Sequence, residues 1–422
     1  MKNTEKETKI DQRFPRDIQY IKFCAYGFLK NLKFYDPFII LFFREMGLSF
    51  FQIGALYSIR EISTNLLEIP TGFIADSFGR KRAMLLCFIS YIISFLTIYF
   101  SPGYFFYAVA MVFFGVGEAL RTGTHKAIIL EYLKVRGILE HRVDYYSHTR
   151  SWAQLGSAVS SIGGALLVYL SGSLDIIFLA TVFPYFLGFL LISTYPSYLN
   201  YDKQLEVKRP GSKKLIDTFK DFLQIFRSWK VFRIFLNSAL FDGGFKTLKD
   251  YLQPVLKNYI AIIPILLFME KEKRLGIIVG LVYFFLFILT SLSSRWSYRI
   301  NNAFESELKP LNLLFLVGGF IILFSGIFYE ADYFVLSILG LILMYLVQNM
   351  RRPLMVGYIS GVIKSQVMAS GLSAESQLKT IVVSIFSLIV GFIADRVGIG
   401  YGIGFVGLTV LVSFTFLGLR KL

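Results

Sequence analysis

Twelve long apolar runs organise this chain, each close to the length of a bilayer-crossing helix and each ended by a short polar or glycine-containing break. A hydrocarbon core of about 30 Å takes about 20 residues of apolar helix per crossing. On that measure the pattern predicts helices over residues 19–44, 50–75, 82–100, 105–133, 145–170 and 174–195. A second set follows over 231–257, 275–296, 310–329, 332–361, 371–394 and 399–419. Between the sets lies a polar stretch from Asn200 to Lys230 holding Lys203, Lys208, Arg209, Lys213, Lys214 and Lys220. The predicted organisation is therefore an N-terminal segment 1–18, a six-helix bundle 19–196, a basic linker 197–230 and a second six-helix bundle 231–422. Segment 258–274, apolar and then charged from Glu270 to Arg274, fits either an outside loop or an extra helix.

Composition sharpens this picture. Of 422 residues, 55% are hydrophobic and only 17% charged, against about 25% charged in soluble domains. A soluble enzyme with one core is excluded, and 44 Phe exclude a disordered chain. The net charge of +16 is concentrated in particular loops. Lys2, Lys6, Lys9, Arg13 and Arg16 precede the first span; Arg80, Lys81 and Arg82 follow the second; Lys134, Arg136 and Arg142 follow the fourth. Positive loops stay on the cytoplasmic side, so both termini are expected there, in the cell membrane. The excess charge then faces lipid headgroups, not nucleic acid. No cleavable leader is expected, because the first residues are hydrophilic and basic. Cys24 and Cys87 lie in different spans and indicate neither a disulfide framework nor a metal site.

One loop is more specific. Between the second and third spans the chain reads Gly72, Phe73, Ile74, Ala75, Asp76, Ser77, Phe78, Gly79, Arg80, Lys81, Arg82. This resembles the signature loop of the major facilitator superfamily, Gly-x-x-x-Asp-Arg/Lys-x-Gly-Arg/Lys-Arg/Lys, in the position that family expects. The resemblance implies an all-α membrane fold of twelve helices in two pseudo-symmetric bundles, and a loop that latches one bundle to the other in the outward-facing state. Ser77 departs from the pattern where a base usually follows the Asp, which weakens the expected latch. A second echo runs Gly391, Phe392, Ile393, Ala394, Asp395, Arg396, Val397, Gly398, matching the first at six of eight positions. It falls on the opposite side, as inverted repeats allow.

Charges inside the spans are the candidate chemistry, since each costs roughly 2.5–3.5 kcal/mol or more in a bilayer and normally faces water, a partner or a transport path. Glu61, Asn65 and Glu68 share one helix face beside Arg60. Glu118, Arg121, Thr122 and His125 form another stripe, with Lys126 and Glu131 nearby, and Asp242, Lys246, Lys249, Asp250 and Gln253 a third. Lys30, Lys33, Asp36, Arg150, Arg351, Arg352, Glu375 and Lys379 complete the set. In the resembled fold, helices 1, 4, 7 and 10 line the central cavity, and those spans carry many of these groups. Some of them are expected to be structural ion pairs, although pairs alone are a poor source of stability after desolvation.

Bases outnumber acids in the spans, and Lys and Arg donate charge-assisted hydrogen bonds to carboxylate or phosphate. Lys30, Arg60, Arg121, His125, Lys126, Arg150, Lys246, Lys249 and Arg352 are therefore the expected substrate ligands, and Glu61, Glu118 and Asp242 the expected proton carriers. The expected gating residues are Gly72, Asp76, Gly79, Arg80, Lys81, Gly391, Asp395 and Arg396. The function expected is secondary active transport of a small anionic or zwitterionic solute by alternating access, coupled to protons, by a monomer without metal or cofactor. Efflux of lipophilic compounds is the alternative that the aromatic content supports, though the fifth span, Leu155 to Gly164, lacks the Gly-Pro of drug antiporters. A receptor without transport is a further alternative. No Walker loop, Gly-x-Ser-x-Gly elbow or His-Glu-x-x-His pair occurs, so no enzyme is expected.

Overall fold

Inside a bilayer every backbone N–H and C=O must find a partner within the chain, which helices supply locally. The computed structural model describes residues 16–420 except 123, 139–141, 201–228, 305, 307 and 363–367. Its helices are α1 (Ile18–Lys30), α2 (Ile39–Glu45), α3 (Phe50–Phe78), α4 (Arg80–Phe100), α5 (Tyr104–Arg121), α6 (Thr124–Val135), α7 (Arg142–Ser171) and α8 (Ile176–Ser193). They continue as α9 (Trp229–Leu248), α10 (Leu252–Ile262), α11 (Lys271–Asn302), α12 (Leu308–Glu330), α13 (Phe334–Val362), α14 (Met368–Arg396) and α15 (Ile399–Leu417). Among the described residues, nine helical stretches are long and apolar enough to cross a membrane. The protein is an all-α, multi-pass membrane protein.

Three expected spans are not continuous. The first, 19–44, breaks after Lys30 into turns before α2 starts at Ile39. Asn31 closes α1 by donating its side-chain amide to the Gly27 carbonyl at 2.8 Å, and Pro37 disfavours helix at Asp36. The fourth, 105–133, stops at Arg121, because Thr122 is extended, and resumes at Thr124. The seventh passes through a 3₁₀ turn, Lys249–Tyr251, between α9 and α10. The start of segment 258–274 is helical, since α10 runs to Ile262, and Ile263 turns extended ahead of Pro264.

Two faces follow from the helix ends. Asp17, ahead of α1, accepts hydrogen bonds from Tyr132 (2.5 Å) and Arg136 (2.9 Å) at the end of α6. Lys22 donates to the Thr194 carbonyl after α8, and Leu419 pairs its N–H with Asn312 at the start of α12. These ends share the terminal face. On the far face, Ser49 and Gln52 form a reciprocal capping box that starts α3.

Helices α1–α8 and α9–α15 meet mainly through α3 against α14 and α7 against α11. The ties between them concentrate toward the far face. Gln253 fills the break between α1 and α2, accepting from the Ile40 N–H (2.8 Å) and donating to the Asp36 carbonyl (2.9 Å). Deeper in, Ser58 donates to the Ser384 carbonyl at 2.6 Å.

Candidate functional site

Three carboxylates, Glu61 and Asp242 buried and Glu118 partly so, each collect cations. Glu118 of α5 sits between Lys30 of α1 (3.3 Å) and Arg121 (2.6 Å), and accepts a third hydrogen bond from the Tyr91 hydroxyl at 2.6 Å. Glu61 of α3 sits between its neighbour Arg60 (3.1 Å) and Lys246 of α9 (2.6 Å). Asp242 of α9 pairs with Arg352 of α13, has Arg351 at 3.7 Å and accepts from Gln348 at 3.0 Å. Arg352 also holds Glu375 of α14 at 2.7 Å, and Ser238 donates to that carboxylate at 2.9 Å. Nearer the far face the polarity is reversed: Lys249 lies between Asp250 (2.5 Å) and Asp36 (3.5 Å), and Tyr57 donates to Asp250 at 3.0 Å.

Exposure within these groups is asymmetric. The side chains of Lys246, Arg121 and Arg352 are 35, 33 and 31% exposed. Glu61, Asp242 and Glu375, which neutralise two of them, are 4% exposed or less, and Glu118 is 20% exposed. Lys246, Arg121 and Arg352 are thus more exposed than the acids they pair with, whereas Lys30, at 8%, is more deeply buried than Glu118. Such an arrangement presents donors outward while the desolvated charge stays compensated.

The expected ligands Lys30, Arg121, His125 and Lys126 come together around one cavity of about 340 Å³, with Tyr26, Gly27, Asn31, Thr122 and Thr149 in the same wall. Its described lining belongs to the later part of α1, the end of α5, the start of α6, the early part of α7 and the turns beside them. His125 stacks on Tyr26 with ring centroids 3.6 Å apart, and its Nε2 is buried with no hydrogen-bond partner among the described residues. Arg60, Lys246, Lys249 and Arg352 do not line this cavity. Arg60 packs over the Tyr57 ring, 4.7 Å from its centroid. The side chains of Arg150 and Asp76, and the surroundings of Gly72, lie outside what the structure describes.

The two loop motifs behave differently. Gly79 has φ +99°, in the region that favours glycine, and a Cβ there would meet the Asn200 side chain at 2.3 Å. Asn200 accepts the Arg80 N–H on its carbonyl and the Lys81 N–H on its side chain, both at 3.0 Å, while the Lys81 ammonium donates to the Tyr195 carbonyl at 2.8 Å. Lys81 thus ties the loop to the segment after α8, within its own set of helices.

The echo motif crosses between the sets. Asp395 accepts the N–H groups of Phe50 and Phe51 at 2.8 and 2.7 Å, capping α3 from the end of α14. Gly391 lets the backbones meet, since a Cβ would lie 2.4 Å from the Phe50 carbonyl. Arg396 packs over Phe392, 5.9 Å from the ring centroid.

Sequence reasoning missed Tyr26, Tyr57, Tyr91, Ser238 and Gln348, which complete these clusters. Tyr26 carried a signal, being one helical turn before Lys30; Tyr91 sits in an apolar run with none. Among the described residues no three His, Cys, Asp or Glu side chains are grouped to hold a metal.

Known proteins place this architecture. Over 308 residues the chain is 22% identical to the MFS-type transporter YxaM of Bacillus subtilis (strain 168), covering 71% of this chain and 72% of that protein. A mutant form of the nucleoside transporter NupG superposes with a TM-score of 0.75 at 13% identity, over 94% of this chain and 99% of that one. A D-xylose-proton symporter gives 0.70 at 13% identity, over 94% and 95% respectively. These similarities at low identity establish the fold. The profile of the Major Facilitator Superfamily matches residues 23–376, and the chain belongs to that superfamily: it is a multi-pass transporter of the cell membrane, working by alternating access, and not an enzyme.

Proposed function

We propose that this protein is a proton-coupled symporter of a small organic anion or zwitterion, built from twelve membrane crossings in two six-helix bundles, 19–196 and 231–422, with both termini cytoplasmic. The observation that carries the reading is the greater exposure of Lys246, Arg121 and Arg352 than of the carboxylates they pair with, Glu61, Glu118, Asp242 and Glu375. An extruder of lipophilic cations calls for the opposite order, with the acids in front.

With the termini inside, the far face is the outer one. The ties of Asp395, Gln253 and Lys249 then close the outer side, and the cavity beside Lys30 and Arg121 belongs to the cytoplasmic half. That is the inward-facing arm of the transport cycle.

Coupling follows from charge balance at Glu118. Ionised, it neutralises Lys30 and Arg121 and competes with an incoming anion for both. Protonated, it leaves two desolvated cations without a counter-ion, so a substrate carboxylate or phosphate is taken up in its place. Losing the proton to the cytoplasm restores the internal ion pair and releases the substrate. A ligand-dependent thermal-shift screen over acids, amino acids, nucleotides, sugars and drugs identifies the solute. Glu118→Gln in proteoliposomes is then expected to abolish gradient-driven accumulation while counterflow exchange persists. Undiminished uphill transport by this variant would refute the coupling scheme.

A further inference from the structure

Two stretches of this chain, 216 positions apart, repeat the same spacing. Gly27, Lys30, Leu32, Lys33 and Tyr35 correspond to Gly243, Lys246, Leu248, Lys249 and Tyr251. The match extends to structure. Each glycine admits a neighbouring helix: a Cβ at Gly27 would lie 2.9 Å from the Thr149 carbonyl of α7, and one at Gly243 2.7 Å from Val382 of α14. Regular α-helix ends at the first lysine in one copy, Lys30, and two residues past it in the other, at Leu248. Lys30 and Lys246 are thus equivalent cations at equivalent helix ends, one from each set of helices.

Their partners are not equivalent. Lys30 finds Glu118 within its own set, and that pair stays together however the two sets move. Lys246 finds Glu61 across the divide, at 2.6 Å. Glu61 also keeps Arg60 beside it, so it has a counter-ion whether or not Lys246 is present. Among the described residues the buried acids of α9–α15 are held by other cations, Asp250 by Lys249, Asp242 by Arg351 and Arg352, and Glu375 by Arg352. Parting the two sets therefore strips Lys246, and not Glu61, of its compensating charge.

We propose that Glu61 is a built-in surrogate for the substrate anion: Lys246 binds an anionic group of the substrate while the far face is open, and Glu61 takes that group's place on Lys246 as the far face closes. Lys30 and Lys246 then act as a pair of anion ligands, one neutralised by a carboxylate of its own half and the other by a carboxylate that arrives with the conformational change. The competition drives the anion off the α9–α15 side when the protein reaches the state seen here. This inference rests on the anion reading above and adds the order in which the cations lose their hold.

Sulfate, at constant ionic strength set by sodium chloride, is a suitable probe in thermal unfolding of the purified full-length protein. Glu61→Gln removes the surrogate and is expected to tighten apparent sulfate binding about tenfold or more, and adding Lys246→Gln to that variant is expected to cancel the gain. No gain in Glu61→Gln, or a gain that survives Lys246→Gln, overturns the proposal. Should Glu61→Gln fail to fold, Glu61→Asp keeps the charge but shortens its reach; tighter sulfate binding supports the competition and unchanged binding overturns it. Arg121→Gln serves as the separate control. Wild-type sulfate binding in that variant defeats the anion reading of the cavity, whereas weakened binding there with no Glu61 effect defeats only the surrogate.

Discussion

Removing the carboxylate of Asp395 tests what holds the far face closed. Asp395 reaches from the end of α14 to the first two N–H groups of α3, at 2.8 and 2.7 Å. Those amides have no acceptor inside their own helix, so an anion there both satisfies them and meets the positive end of the helix. A lost N-terminal cap costs about 0.5–2 kcal/mol, and a charge at a helix start contributes about 0.3–1 kcal/mol. Asp395 is itself exposed and Phe51 is 44% exposed, so water screens part of the interaction and a total of about 1–2 kcal/mol is the appropriate scale. When the two sets of helices part, water replaces the carboxylate on these amides and this stabilisation is lost. Asp395→Ala, which removes both the acceptor and the charge, should therefore move the balance between closed and open far face by roughly 5- to 30-fold toward open. Pulsed electron resonance distances between spin labels at Met46 and Val397, both exposed, in a background with Cys24 and Cys87 replaced by Ser, report that balance. An unchanged distance distribution would refute a latching role for Asp395 and leave it as an ordinary local cap.

Gly391→Val should act in the same direction by sterics, because its Cβ would press on the Phe50 carbonyl at 2.4 Å. The same spin-label pair reads the shift, and a far face that stays closed contradicts the geometry. Tyr91→Phe removes the 2.6 Å hydrogen bond to Glu118 and should lower stability by about 1–3 kcal/mol, measured by thermal unfolding in detergent, with little loss of packing. Asn200→Ala withdraws the side-chain acceptor from the Lys81 N–H at the start of α4 and should cost about 0.5–2 kcal/mol in the same assay. An Asn200→Ser variant is expected to recover part of it.

Membrane insertion and helix formation were legible in the amino-acid sequence because both are sums over neighbouring residues. Runs such as Arg80–Phe100 and Ile399–Leu417 carry their apolar character whatever they pack against. The charged stripes were equally visible, because residues three and four apart share a helix face whatever the tertiary partner. Breaks at Asn31 and beyond Leu248 had local signals, in Asn31, Pro37 and the crowding of Lys249 and Asp250, but the apolar residues around them masked those signals. Only the tertiary structure decided which charge neutralises which. Glu61 and Lys246 lie 185 residues apart, and Asp395 and Phe50 lie 345 apart. Electrostatic partnership depends on distance and desolvation between remote segments. Composition along the chain carries no record of either quantity.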